Sequence, residues 1–289
     1  MNVKANNIKN KLKGLLILFR FELPFFAGVC VVLGEILALG SLPSIRDAFL
    51  GFISVFFISA SALILNDYFD LEIDRVNSPD RPLPSGKVTS NEVLALSIAI
   101  TLSGFAASLL LSFMSLIVAI LVWGVGFLYN WRYKRSGLWG NLMVSLSVGM
   151  TFIYGAVAVG QPMAKLVWFF SLIAFLIDLG EEIAADALDM EGDRIIGSKS
   201  IAIQYGQDRA LKISGIIFGI VIVLTLIPFL FNWLAKIYLI PLILMDIVVL
   251  ISTIRLLQRK NTKKLSDIRR IYISSGIAMI VLIILRMVV

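Results

Sequence analysis

Nine apolar stretches, each close to the length that crosses a lipid bilayer, follow one another along this 289-residue chain. A spanning helix needs about 20 mostly apolar residues. Segments of that kind run over 15–39, 46–66, 91–112, 115–131, 138–160, 164–184, 210–231, 236–257 and 270–289. Hydrophobic residues make up 59% of the sequence, whereas ordinary soluble domains sit near half. The expected fold is therefore all-α: a single polytopic membrane domain over 1–289 with nine transmembrane helices, in the cell membrane.

Loop charge sets the expected orientation, because Lys and Arg accumulate on the cytoplasmic side. Lys4, Lys9, Lys11, Lys13 and Arg20 lie before or at the first span, and Arg75, Arg81 and Lys87 follow the second. Arg132, Lys134 and Arg135 follow the fourth, and Arg194, Lys199, Arg209 and Lys212 the sixth. Seven more lie between Arg255 and Arg270, so that 22 of the 26 basic residues fall on one side. This places the N-terminus and the long loops in the cytoplasm and the C-terminus outside. The net charge of +7 is thereby explained by topology, and no nucleic acid partner is expected. One cysteine, Cys30, rules out a disulfide framework within the chain, and the absence of histidine removes Ser-His-Asp chemistry and His-ligated zinc or haem.

Two acidic clusters interrupt this apolar background, both on the cytoplasmic side. Asn66-Asp67-Tyr68-Phe69-Asp70-Leu71-Glu72-Ile73-Asp74 continues the second apolar run, and Asp186-Ala187-Leu188-Asp189-Met190-Glu191-Gly192-Asp193 continues the sixth, 120 positions later. Asn66, Asp70 and Asp74 recur at i, i+4, i+8, and Asp186, Asp189 and Asp193 at i, i+3, i+7, so on a helix each set shares a face. Glu182 and Asp178 extend the second stripe back into the membrane. Carboxylates this close repel unless they are protonated or bind cations. Magnesium takes hard oxygen ligands and commonly bridges one or two carboxylates to substrate phosphates. Solvated loop acids would need no such partner, but two same-face clusters at one membrane edge favour the metal reading.

Bases interleave with the acids: Arg75 and Arg81 beside the first cluster, Arg194 and Lys199 beside the second. Arg forks recognise phosphates, although the positive-inside bias alone would supply bases here. Pro79, Pro82, Pro84 and Gly86 stop any helix in the first loop and hold Arg81 in place. In Tyr129-Asn130-Trp131-Arg132-Tyr133-Lys134, Trp131 and Tyr133 read as interfacial anchors, leaving Tyr129, Asn130 and Lys134 as polar groups where the loops converge. Arg20 and Glu22 read as either an ion pair or a site wall. Asp246 and Glu35 are isolated and receive no role.

Asn66-Asp67-x-x-Asp70-x-x-x-Asp74, followed by Asn77-x-Pro79-x-Arg81-Pro82-Leu83-Pro84-Ser85-Gly86, resembles the first signature of the UbiA superfamily of intramembrane prenyltransferases. Asp186-x-x-Asp189-x-x-Gly192-Asp193, followed by Gly197-x-Lys199-Ser200, resembles its second; Tyr129-Asn130 through Lys134 and Gly140-Asn141 resemble its middle segment. The resemblance spans essentially the whole chain. It implies a central cavity capped by cytoplasmic loop helices, with cap loops about 67–90, 131–138 and 185–209, and a prenyl diphosphate bound through two Mg2+ ions. Carried over, Asn66 and Asp70 would serve one ion and Asp189 and Asp193 the other, with Asp74 and Asp186 in support. Asp70, Asp189 and Asp193 would be catalytic, and Arg20, Arg75, Arg81, Tyr129, Asn130, Lys134 and Lys199 would bind substrate. Related archaeal sequences carry Lys where this chain has Ala185, which leaves Lys199 to replace that charge.

The overall look is most similar to the archaeal ether-lipid branch of that superfamily. This implies transfer of a geranylgeranyl group from geranylgeranyl diphosphate to the free hydroxyl of geranylgeranylglyceryl phosphate, a lipid-like acceptor, among membrane lipids. A quinone-type enzyme with an aromatic acceptor stays open. So does, more distantly, a cation-coupled transporter, whose acids would sit nearer the midplane.

Overall fold

The computed structural model describes residues 11–195, 197–258 and 263–288. Lys4, Lys9, Arg259 and Lys260, counted in the charge asymmetry, lie outside the described residues. Among the described residues the regular structure is entirely helical. We label the main helices α1 (Glu22–Leu39), α2 (Ile45–Phe69), α3 (Leu71–Asn77), α4 (Ser90–Leu111), α5 (Phe113–Leu128), α6 (Leu138–Ala158), α7 (Lys165–Leu188), α8 (Met190–Ile195), α9 (Ile201–Tyr205), α10 (Gln207–Leu224), α11 (Leu239–Leu257) and α12 (Lys264–Val288).

Eight helical segments among the described residues are long and apolar enough to cross a membrane. They comprise α1, α2, α4, α5 with its extension to Tyr133, α6, α10 extended to Leu230, α11 with the turn before it, and α12. The stretch expected to span over 164–184 forms α7, which is 24 residues long. Asp178, Glu181, Glu182 and Asp186 crowd its C-terminal half, so it does not qualify on apolarity. The first expected span is corrected: 15–39 is not one helix. Residues 11–18 are helical, the chain turns at Phe19–Phe21 and α1 then begins. Pro24 supplies the reason, since it has no N–H to bond the Arg20 carbonyl and so fits the first turn of α1 but not the interior of a longer helix. Arg20 instead takes a left-handed φ of 44°.

The helices form two neighbouring groups. α1 packs on α2 and α6, α2 on α4, and α4 and α6 on α5; α10 packs on α7 and α11, and α11 on α12. α7 joins the groups through α6 and α1. Close crossings rely on glycine: a Cβ on Gly155 would strike the Val31 carbonyl, and one on Gly34 the Phe152 backbone. Gly155→Ala should therefore cost about 1–3 kcal/mol by overpacking, read as a lower unfolding temperature in detergent. The largest core lies between α6, α7, α10, α11 and α12 around Phe170, Ile183, Phe218 and Leu256. A small separate cluster clamps the N-terminal turn: Leu18 packs with Ile64 of α2, Leu83 and Val88 of the proline-rich loop, and Val93 of α4.

Candidate active site

The C-terminal ends of α2, α5 and α7 come together at one end of the bundle. α2 stops at Phe69 and α3 starts at Leu71, with Asp70 at the junction (φ −88°, ψ 3°). The helical register nevertheless carries through, because Asp70 N–H donates to Asn66 O (3.0 Å) and Asp74 N–H to Asp70 O (2.8 Å). Asn66, Asp70 and Asp74 thus stay one turn apart. Arg81 Nη1 donates to Asp74 Oδ2 at 2.6 Å and lies 3.5 Å from Asp67 Oδ1. Asp67, 4% exposed, also accepts from Arg20 Nη2. Arg20 therefore pairs across the site with Asp67, and no bond links it to Glu22. Arg75 does not join this set: its Nη1 donates to Glu72 Oε1 (2.9 Å) on the exposed side of α3.

α5 ends in a π-helical turn, Tyr129–Tyr133, closed by the bond from Lys134 N–H to Tyr129 O (2.8 Å). Such one-residue expansions of a helix recur at functional sites because they re-aim side chains. Here Asn130 Nδ2 donates to Ala62 O of α2 (2.9 Å), and Lys134 Nζ donates to Asp70 Oδ2. The Asn66 amide fits two neighbour sets. With its nitrogen toward Asn130 it donates to Asn130 Oδ1 at 2.9 Å. Turned over, it donates to Asp70 Oδ2 (3.1 Å) and accepts from Lys134 Nζ (2.8 Å). In the first orientation its oxygen faces the Asp70 carboxylate, two acceptors together, an arrangement that a cation completes.

The second cluster is built the same way but without bases. α7 ends at Leu188, Asp189 is its C-cap, and α8 carries Asp193. Asp186 Oδ2 accepts from Asn141 Nδ2 of α6 (2.9 Å), and Asp178 Oδ2 from Ser145 Oγ (2.8 Å). Asp193 Oδ2 is buried with no partner, and the Asp189 carboxylate folds over Gly192, where a Cβ would come within 2.7 Å of Oδ1. Tyr129 faces this side, with Glu182, Asp186, Asp70 and Asp178 as its electrostatic neighbours. Lys199, proposed to replace a missing base, is exposed, and its N–H bonds Arg135 O (2.9 Å). That bond ties the second loop to the turn after α5. A Cβ on Gly137, at φ 67°, would overlap the Lys199 carbonyl. Gly137→Ala is accordingly expected to destabilise the protein by about 1–3 kcal/mol and to part these loops, seen as a lower unfolding temperature and faster proteolysis at 198–200.

The donor set suits a hard divalent ion. It offers carboxylate and amide oxygens without sulfur or imidazole, including one orphaned buried oxygen on Asp193. Among the described residues no three carboxylates converge as a ready-made ligand triad; Lys134 and Arg81 hold the first cluster's acids instead.

Sequence reasoning passed over Asp67, which ties Arg20 to Arg81, and Glu181, an electrostatic neighbour of Tyr272 in α12. It also left Ser145 without a role. Asp67 stands beside Asn66, but only the fold brings Arg20, 47 positions away, onto it.

The UbiA prenyltransferase family profile matches residues 27–276. A digeranylgeranylglyceryl phosphate synthase from Thermococcus sibiricus is 40% identical over 205 residues, covering 70% of this chain and 72% of that one. A solved structure concerning digeranylgeranylglyceryl phosphate synthase in membranes superposes with a TM-score of 0.83 at 30% identity, over 96% of this chain and 99% of the other. A UbiA homolog from Archaeoglobus fulgidus, solved with GPP and Mg2+, gives a TM-score of 0.66 at 18% identity, over 97% of this chain and all of that one.

Proposed function

The chain belongs to the UbiA prenyltransferase family, and from that premise we propose that it moves a geranylgeranyl group from geranylgeranyl diphosphate to the free hydroxyl of geranylgeranylglyceryl phosphate. The observation that carries this reading is the meeting of Asn66, Asp70 and Lys134 with the Asp186–Asp193 cluster at one end of the bundle. The acceptor is argued from relatives of 30–40% identity named digeranylgeranylglyceryl phosphate synthases. In the same reading α7 is a ninth span, the N-terminus and active-site loops are cytoplasmic, the C-terminus is outside, and the single domain 1–289 encloses a cavity beneath α3, α8 and α9.

Asn66 and Asp70 would hold one Mg2+ ion, and Asp189 and Asp193 a second, with Asp74 and Asp186 in support. When bound, the ions would supply neutralisation of the charge that grows on the departing diphosphate. Arg81, Arg20 and Lys134 reach the same ground with guanidinium and ammonium groups, and would stabilise that charge as the C1–O bond breaks. Tyr129 and Asn130, fixed by the π-helical turn, would orient the diphosphate between the clusters. The acceptor hydroxyl oxygen then bonds to C1 of the allylic chain and gives its proton to water, the released diphosphate or a carboxylate of the clusters. Apolar walls exclude water, which would otherwise capture the allylic carbon. Phe52 and Phe56, stacked at 6.0 Å on α2, are among the aromatic faces available to an allylic cation.

The test is an assay of purified protein with geranylgeranyl diphosphate and Mg2+, offering geranylgeranylglyceryl phosphate and an aromatic acid in parallel. Product with the glyceryl phosphate alone is expected. Product with the aromatic acid alone would move the enzyme to quinone-type chemistry, and no product with either would overturn the acceptor assignment.

A further inference from the structure

The two acidic clusters are electrostatically unequal, and this bears on how the site fills. The first is self-neutralised. Asp67, Asp70 and Asp74 are matched by Arg20, Lys134 and Arg81 through the pairs Arg20–Asp67, Lys134–Asp70 and Arg81–Asp74. The second has no such match: among the described residues no base pairs with Asp178, Glu181, Glu182, Asp186, Asp189 or Asp193, and Asp193 Oδ2 is buried without a partner.

We propose that Lys134 is the resident cation of the first cluster, so that the second cluster holds a divalent ion without substrate while the first admits one only when a diphosphate draws Lys134 away. The inference rests on the reading that Asn66 and Asp70 form an ion site. Its mechanism is an exchange of partners. A diphosphate offers Lys134 more negative charge than the single carboxylate of Asp70. Once the ammonium moves to phosphate, Asp70 loses its cation, and its carboxylate, 13% exposed, is left uncompensated. The Asn66 amide follows, because its oxygen no longer accepts from Lys134 Nζ and is free to turn beside Asp70 Oδ2. Asn66 and Asp70 would then be free to hold a divalent ion beside the diphosphate that displaced Lys134. Ion and diphosphate therefore bind the first cluster cooperatively, whereas the second cluster needs no such partner.

The experiment is a Mn2+ titration of detergent-purified protein followed by electron paramagnetic resonance, with and without inorganic pyrophosphate and with no prenyl substrate. The unaltered protein is expected to bind a single equivalent of Mn2+ alone and a second only with pyrophosphate. Lys134→Met should bind the second equivalent without pyrophosphate, with affinity about tenfold or more above that of the unaltered protein. Lys134→Arg, which keeps the charge, should still require pyrophosphate. Two equivalents of equal affinity in the unaltered protein, or no gain in Lys134→Met, would overturn the proposal while leaving the ion site intact. Asp189→Asn should remove the ion bound alone and Asp70→Asn the pyrophosphate-dependent one. Should both variants titrate like the unaltered protein, the ion-site reading itself fails, and the proposal fails with it.

Discussion

Asp189→Ala is expected to lower prenyl transfer by about a thousandfold or more, while the purified protein unfolds at a nearly unchanged temperature. The two halves of this expectation have separate causes. Asp189 closes the C-terminus of α7 and makes no pairing with a base, so its removal breaks no native ion pair. It stands between the end of α7 and the start of α8, where the two opposed helix dipoles offset each other, so its charge is neither strongly favoured nor disfavoured by the helices. Asp70→Ala should cost as much activity, but its effect on stability differs, because Lys134 would be left without its carboxylate. The measurement is turnover with geranylgeranyl diphosphate at saturating Mg2+, alongside thermal unfolding in the same detergent. Activity retained in both variants would sink the two-cluster assignment, and a fall in activity that merely tracks a fall in unfolding temperature would reduce Asp189 to a structural role.

The spans and the acidic clusters were legible in the sequence because each depends on local order. Apolar runs of membrane length announce helices, and the spacing of Asn66, Asp70 and Asp74 keeps them a turn apart even though the helix breaks at Asp70. What was not legible depends on contacts between distant elements or on departures from a regular helix. Lys134 reads as five residues beyond Tyr129; only the π-helical turn, which no spacing rule announces, directs it to Asp70. Arg75 and Arg81 look equivalent as bases near the first cluster, yet Arg75 lies on the outer face of α3 with Glu72, while the proline-rich loop folds Arg81 back onto Asp74. The break at Phe19–Phe21 lies beside Arg20, Glu22 and Pro24, signals that the length and apolar content of 15–39 read past. α7 shows the converse. Its acids are the sequence feature that marks the site, and the same acids keep it from meeting a purely apolar definition of a span.

Asp67 is where stability and binding should part company most clearly. It is buried, its carboxylate holds Arg20 and approaches Arg81, and Arg20 sits in a left-handed conformation that a non-glycine residue adopts only when its surroundings hold it there. Asp67→Ala removes the acceptor of Arg20 and the 3.5 Å approach of Arg81, which keeps Asp74 Oδ2. Because the two Arg side chains are one-third and two-fifths exposed, water takes up part of the lost pairing. The expected loss is accordingly about 1–3 kcal/mol, below what a fully desolvated pair would cost. The larger consequence is expected in donor binding. With Arg20 released, the turn that docks Leu18 on Ile64, Leu83 and Val88 loosens, and the loop carrying Arg81 is held through Asp74 alone. KM for the prenyl diphosphate should rise by about tenfold or more with kcat less affected, the signature of lost binding common to the ground and transition states. Asp67→Asn, which keeps an oxygen to accept from Arg20, should recover part of both losses. Steady-state kinetics and thermal unfolding of the two variants decide the matter. A fall in kcat with KM unchanged would instead place Asp67 among the groups that act on the reacting bond.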